Sequence, residues 1–138
     1  MEEVDRIKMI GLDLDGTLLT DKKELLPYTR EVLRKAIDRG IVVLVATGRP
    51  WTGIPEELRD FPGMRYALTA NGARIIDGGS GRVLEERLLP PDLAVQALKI
   101  CGKYDALQEV YFDGQGYAEA EKMKHIERYH KNPNMWEY

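Results

Sequence analysis

Six consecutive apolar residues, Ile41-Val42-Val43-Leu44-Val45-Ala46, present no polar face. A strand of that pattern belongs inside a parallel sheet covered on both sides, because a half-solvated strand would alternate apolar with polar residues. Ahead of it, Val32, Leu33, Ala36 and Ile37 recur at helical spacing between Pro27 and Arg39. Pro27 suits a first helical turn and Gly40 a helix end. Earlier still, Ile7-Lys8-Met9-Ile10-Gly11-Leu12-Asp13 reads as a strand that delivers polar residues at its carboxyl end. Strand, helix and strand form a βαβ unit, so the chain is α/β.

The segment Trp51 to Asp60 is expected to hold a short helix restricted by Pro50 and Pro55, followed by a turn at Phe61-Pro62-Gly63. Tyr66 to Ala70 is a third strand. Arg74 to Asp77 and Arg82 to Glu85 flank Gly78-Gly79-Ser80-Gly81 and predict a hairpin. After Pro90-Pro91, Leu93, Val95, Ala97, Leu98 and Ile100 predict an amphipathic helix to Lys103. Two strands, Ala106 to Asp113 and Gly116 to Ala120, and a polar helix from Glu121 to His130 complete the pattern. Tyr111, Phe112 and Tyr117 are expected to pack as a sheet face. The composition shifts at residues 86 to 91, which predicts domains 1–85 and 86–138.

With 43% hydrophobic and 31% charged residues, the 138-residue chain is not globally disordered. Its 20 Lys and Arg against 23 Asp and Glu leave a net charge of −3 without a long basic run, which argues against nucleic acid and membrane surfaces as partners. No apolar stretch nears the roughly 20 residues of a membrane span. The acidic start Met1-Glu2-Glu3-Val4-Asp5 differs from a basic secretory leader. The expected location is cytoplasmic. Cys101, the single cysteine, is expected as buried core filler. His125 and His130 are five apart, hence on different helix faces, and are not expected to bind metal.

The chemistry concentrates in Asp13-Leu14-Asp15-Gly16-Thr17-Leu18-Leu19. In an extended backbone Asp13 and Asp15 point to one side and Leu14 into packing. Two carboxylates so close repel, and a hard divalent cation such as magnesium relieves this, with a phosphate ester completing its coordination. One carboxylate can then attack phosphorus while the other shuttles a proton. The plainer alternative is a solvated acidic turn. Thr47-Gly48-Arg49-Pro50 ends the second strand, at the edge where open α/β sheets bind ligands. The Thr47 hydroxyl and Gly48 amide suit a phosphate oxygen, and Arg49 adds fixed positive charge. Asn71, ending the third strand, either reads substrate or caps the hairpin.

Asp13-Leu14-Asp15-Gly16-Thr17-Leu18-Leu19, Thr47-Gly48-Arg49-Pro50 and Ala70-Asn71-Gly72-Ala73 together resemble the haloacid dehalogenase superfamily, and within it the Cof-type sugar-phosphate phosphatases. The resemblance implies a Rossmann-like core in which Asp13 is the phosphate-accepting nucleophile and Asp15 the general acid/base. It implies that Leu14, Thr47, Gly48, Arg49 and Asn71 contact the phosphate or substrate, and that Asp13 and Asp15, the latter by its backbone carbonyl, hold Mg2+. The short segment Leu18 to Asp21 leaves no room for a cap there, so residues 86–138 would be the first half of an α/β cap inserted after the third strand. Such proteins continue past the cap to a lysine that steadies the phosphoryl group and a Gly-Asp-x-x-Asn-Asp segment. No Gly-Asp pair occurs here, and Lys99, Lys103, Lys122, Lys124 and Lys131 all fall in the expected cap.

The expected fold is therefore a partial Rossmann-like core, β-α-β-α-β plus a hairpin, with the first half of a cap. The expected function is a magnesium-dependent phosphatase acting on small phosphorylated metabolites through an aspartyl-phosphate, its activity weakened by the missing groups. The alternative is a catalytically inactive fragment serving as an oligomerising or interaction domain. An exposed edge on the first strand predicts pairing with a second copy. A phospho-accepting receiver domain is disfavoured, because both acidic residues lie together on the first strand.

Overall fold

A computed structural model describes residues 7–130, in two compact units that meet in sequence at Glu86 and Arg87. The first unit is a five-stranded sheet of order β1-β2-β3-β4-β5, formed by β1 (Met9–Leu12), β2 (Val42–Ala46), β3 (Tyr66–Thr69), β4 (Arg74–Asp77) and β5 (Arg82–Glu86). Strands β1, β2 and β3 are parallel, in register Leu12 to Val45 and Ala46 to Leu68. The hairpin β4–β5 continues the sheet antiparallel from β3. The fold is thus the α/β, Rossmann-like arrangement expected from the βαβ pattern, with β2 inside the sheet as its unbroken apolar run requires.

Helix α1 (Pro27–Asp38) begins with proline and lacks a side-chain cap at Leu26. It stops where Gly40 takes φ +78, a conformation costly for other residues. The Gly40 amide then bonds the Ile37 carbonyl and the Ile41 amide the Ala36 carbonyl, which satisfies the helix end and turns the chain into β2. Leu33 is buried, and Ala36 and Ile37 pack with Val43, Val45 and Ala67 in one core. Val32, assigned by spacing to the apolar stripe, is instead 44% exposed.

The helix expected over Trp51 to Asp60 divides into a 3-10 turn, Trp51–Gly53, and the single turn α2 (Glu56–Arg59). Pro55 separates them because it has no amide to donate and holds the preceding residue extended. Buried Ile54, Leu58, Phe61 and Met64 join the same core.

The second unit contains α3 (Pro91–Cys101), the antiparallel pair β6 (Glu109–Phe112) and β7 (Gln115–Ala118), and α4 (Ala120–Met123). The helix expected to run to His130 is broken after Met123, and a 3-10 turn follows at Ile126–Arg128. Two expectations fail here. Tyr111, Phe112 and Tyr117 are 42%, 70% and 57% exposed rather than packed, and Cys101 is exposed rather than core. The physical reason is shared: α3, β6 and β7 hold no buried residue among the described ones, so alternation marks an apolar face that no neighbouring layer covers. Polar contacts order the unit instead. The Tyr129 hydroxyl donates to Asp105 at 2.7 Å and Lys122 Nζ to the Ala106 carbonyl at 2.8 Å. Among the described residues no helix is long and apolar enough to cross a membrane.

Candidate active site

Because β1 and β2 are parallel neighbours, the loops leaving their carboxyl ends lie side by side, one carrying Asp13 and Asp15 and the other Thr47, Gly48 and Arg49. The backbone is not extended past Leu12. Leu14 sits in a turn whose carbonyl accepts from the amides of Thr17 and Leu19, at 3.4 and 2.9 Å, while the Asp13 carbonyl accepts from Leu18 at 3.1 Å. Gly16 takes φ +74 in this turn. Buried Leu14, Leu18 and Leu19 anchor it to the core and leave both acidic residues exposed. Leu14 is fully buried, and its carbonyl is engaged within the turn.

The two carboxylates have different partners. Asp13 Oδ2 accepts from the Thr17 hydroxyl at 3.2 Å. Asp15 is gripped by cations: Arg49 donates from Nε to Oδ2 at 2.8 Å and from Nη2 to Oδ1 at 2.6 Å, and Lys23 Nζ donates to Oδ1 at 2.6 Å. The Arg49 fork holds the Asp15 carboxyl at about 2, below its ordinary 3.8, with Lys23 adding to the effect and partial burial opposing it. Arg49 is itself fixed from behind, since its Nη1 donates to the Gly53 carbonyl at 2.7 Å and its backbone amide to Thr47 Oγ1 at 3.1 Å. One side chain therefore ties the loop after β1 to the loop after β2.

The third strand adds backbone contacts. The Ala70 amide donates to the Arg49 carbonyl at 2.9 Å and the Asn71 amide to the Thr47 carbonyl at 3.2 Å. These bonds need the left-handed conformation at Ala70 and Asn71, with φ of 50 and 56. Asn71 lies beside Gly48, where a β carbon would come within 2.9 Å of Asn71 Oδ1. The exposed Asn71 side chain would have to swing aside for any larger residue at 48. Thr47, at 6% exposure, is buried.

Every residue singled out by the sequence lies at this strand-end edge, where Asp15 also meets Arg49 and Lys23. Lys23 was not anticipated. It lies in a polar loop beside Lys22, and neither spacing nor hydropathy distinguishes the two. Among the described residues no group of three or more His, Cys, Asp or Glu side chains is disposed to hold a metal ion.

A family model described as haloacid dehalogenase-like hydrolase matches residues 10–137. A 5-amino-6-(5-phospho-D-ribitylamino)uracil phosphatase, YcsE of Bacillus subtilis, is 37% identical over 91 residues, covering 66% of this chain and 36% of its own. A pyridoxal phosphate phosphatase, YbhA of Escherichia coli, is 33% identical over 106 residues, covering 77% of this chain and 39% of its own. The solved structure of a haloacid dehalogenase-like hydrolase from B. subtilis superposes with a TM-score of 0.72 at 30% identity, over 87% of this chain and 42% of that one. The chain spans well under half the length of these relatives. Nothing in the comparisons supports the reading as a non-catalytic interaction domain.

Proposed function

This chain belongs to the haloacid dehalogenase-like hydrolase family, and from that premise we propose that it carries the nucleophile-bearing site of a phosphatase acting on small phosphorylated metabolites. The sequence through Glu86 is read as part of the Rossmann-like core and the sequence from Arg87 as the first half of a cap. The observation that carries the proposal is the single Arg49 guanidinium joining Asp15 to the Thr47 loop across the ends of β1 and β2.

In the proposed reaction an Asp13 carboxylate oxygen attacks phosphorus, the ester P–O bond breaks, and the leaving oxygen takes a proton from Asp15. Water then attacks the aspartyl-phosphate and gives its proton to Asp15, releasing inorganic phosphate and restoring Asp13. Thr47, the Gly48 amide and the backbone at Leu14 supply hydrogen bonds to the phosphoryl oxygens. Arg49 contributes charge from a fixed position, its fork already bound within the protein. Asn71, exposed beside Gly48, is read as a substrate contact. While Arg49 and Lys23 grip it, Asp15 is ionised at neutral pH and has no proton to give. A phosphate group beside those cations offsets their hold on Asp15, which then takes from solvent the proton that it hands to the leaving oxygen.

Magnesium keeps several waters and takes phosphate oxygens, so it needs few protein ligands. The donor set is compatible with it: Asp13 offers a carboxylate whose Oδ2 accepts from a hydroxyl rather than a cation, and Asp15 offers its backbone carbonyl. A bound magnesium ion would neutralise charge on the phosphoryl group.

Turnover of a generic aryl phosphate, with and without magnesium, tests the reading. The wild-type chain is expected to release phosphate, and Asp13→Asn to lose the activity completely, because the substituted amide cannot form the covalent intermediate. Equal turnover in both would refute it.

A further inference from the structure

Lys23 reaches the strand-end site from a turn of its own. Its amide donates to the Thr20 carbonyl at 2.8 Å, the Thr20 amide donates to the Glu24 carbonyl at 3.0 Å, and buried Leu25 pins the far side. The turn holds Lys23 at φ +64, a region that favours glycine. Its side chain is only 26% exposed, and its Nζ lies 2.6 Å from Asp15 Oδ1.

We infer that Lys23 is a phosphate-binding residue whose ammonium, resting on Asp15, meets the negative charge of a phosphate group entering at the ends of β1 and β2. The inference rests on the phosphoryl-transfer reading above.

Four observations support it. Asp15 already receives a two-bond fork from Arg49, so a second cation is not needed to hold the carboxylate. A partly exposed ion pair stabilises little, whereas a left-handed non-glycine backbone is costly and gathers at functional sites. The pair alone therefore does not account for the conformation. Arg49 is fixed on Asp15 and Gly53, while a lysine is a point charge on a flexible stem with three N–H donors, of which Asp15 takes one. Of the two cations, Lys23 is the one able to pivot. Lastly, Asp13, Asp15, Lys23 and Arg49 sum to zero charge. Without Lys23 the set is net negative and repels a phosphate.

Calorimetric titration with inorganic phosphate, in magnesium chloride buffer, tests this on the full chain. Lys23→Met is expected to weaken phosphate affinity about tenfold, the loss of a charge-assisted hydrogen bond. Lys23→Arg should restore most of it, and Lys22→Met, which removes a neighbouring charge, should leave it unchanged. Lys23→Gly removes the ammonium while relieving the backbone, so it reports on binding even where Lys23→Met folds poorly. If the wild type binds phosphate and both Lys23→Met and Lys23→Gly bind equally well, the assignment of Lys23 is wrong and the site stands. Equal weakening by Lys22→Met also overturns it, as a general charge effect. If the wild type binds no phosphate, both readings fall together.

Discussion

At the scale of single residues, a few backbone positions decide whether the site can exist. Gly63 closes the turn between α2 and β3 at φ +85, and a β carbon there would collide with Ile37 Cγ2 on α1. Gly63→Ala therefore meets both an unfavourable conformation and an overpacked contact. It is expected to lower unfolding free energy in urea by about 2 kcal/mol. Gly16→Ala, at φ +74 with nothing within 4 Å of the added carbon, should cost less. The acidic pair and the Thr-Gly-Arg segment were legible in the sequence, because Asp13, Asp15, Thr47 and Arg49 follow strands whose apolar patterning is plain. What was not legible is who binds whom. Alternation says that Asp13 and Asp15 are close, but not that Asp13 meets Thr17 and Asp15 meets Arg49 and Lys23. Partner choice depends on loop paths, which periodicity does not encode.

At the scale of elements, the hairpin is stapled to the strand it extends. Asp77, at the end of β4 and only 4% exposed, accepts from Arg65 Nη2 at 2.7 Å, from Arg65 Nε on both oxygens, and from the Gly79 amide at 3.0 Å. The Gly78 amide closes the same corner on the Arg65 carbonyl at 2.7 Å. Arg65 holds the Asp77 carboxyl at about 2, down from 3.8. A carboxyl lowered in the folded state adds stability that is fully present above its unfolded value, near pH 4, and is lost as pH falls through about 2. Acid titration of the wild type followed by circular dichroism should show that loss, and Asp77→Asn should flatten the curve between those limits while lowering stability at neutral pH. An unchanged acid limb would mean Asp77 is not the titrating group. Sequence patterning was most informative for α1, β2 and the hairpin, where period and glycine punctuation coincide. It placed a short helix near α2, restricted by Pro55, and was least informative in the second unit, where Leu93, Val95 and Phe112 mark an apolar face without saying whether anything covers it.

At the scale of the whole molecule, the edge of the sheet matters most. Among the described residues strand β1 has a partner on one side only, β2, and it carries Met9 at 57% exposure with Ile7 beside it at 48%. An apolar edge of this kind offers unpaired backbone groups to another chain. Light scattering is expected to give a mass above that of one chain, and Met9→Lys, which charges the edge, should return it to the monomer. A wild type that is monomeric throughout would remove this proposal without touching the site. The left-handed run at Ala70 and Asn71 carries a different implication. Since main-chain amides there span to the carbonyls of Arg49 and Thr47, the gap between the second and third strand ends is measured by peptide geometry. The mouth of the site can thus diversify its side chains over evolution while its width stays nearly constant, the limit being which residues tolerate that twist.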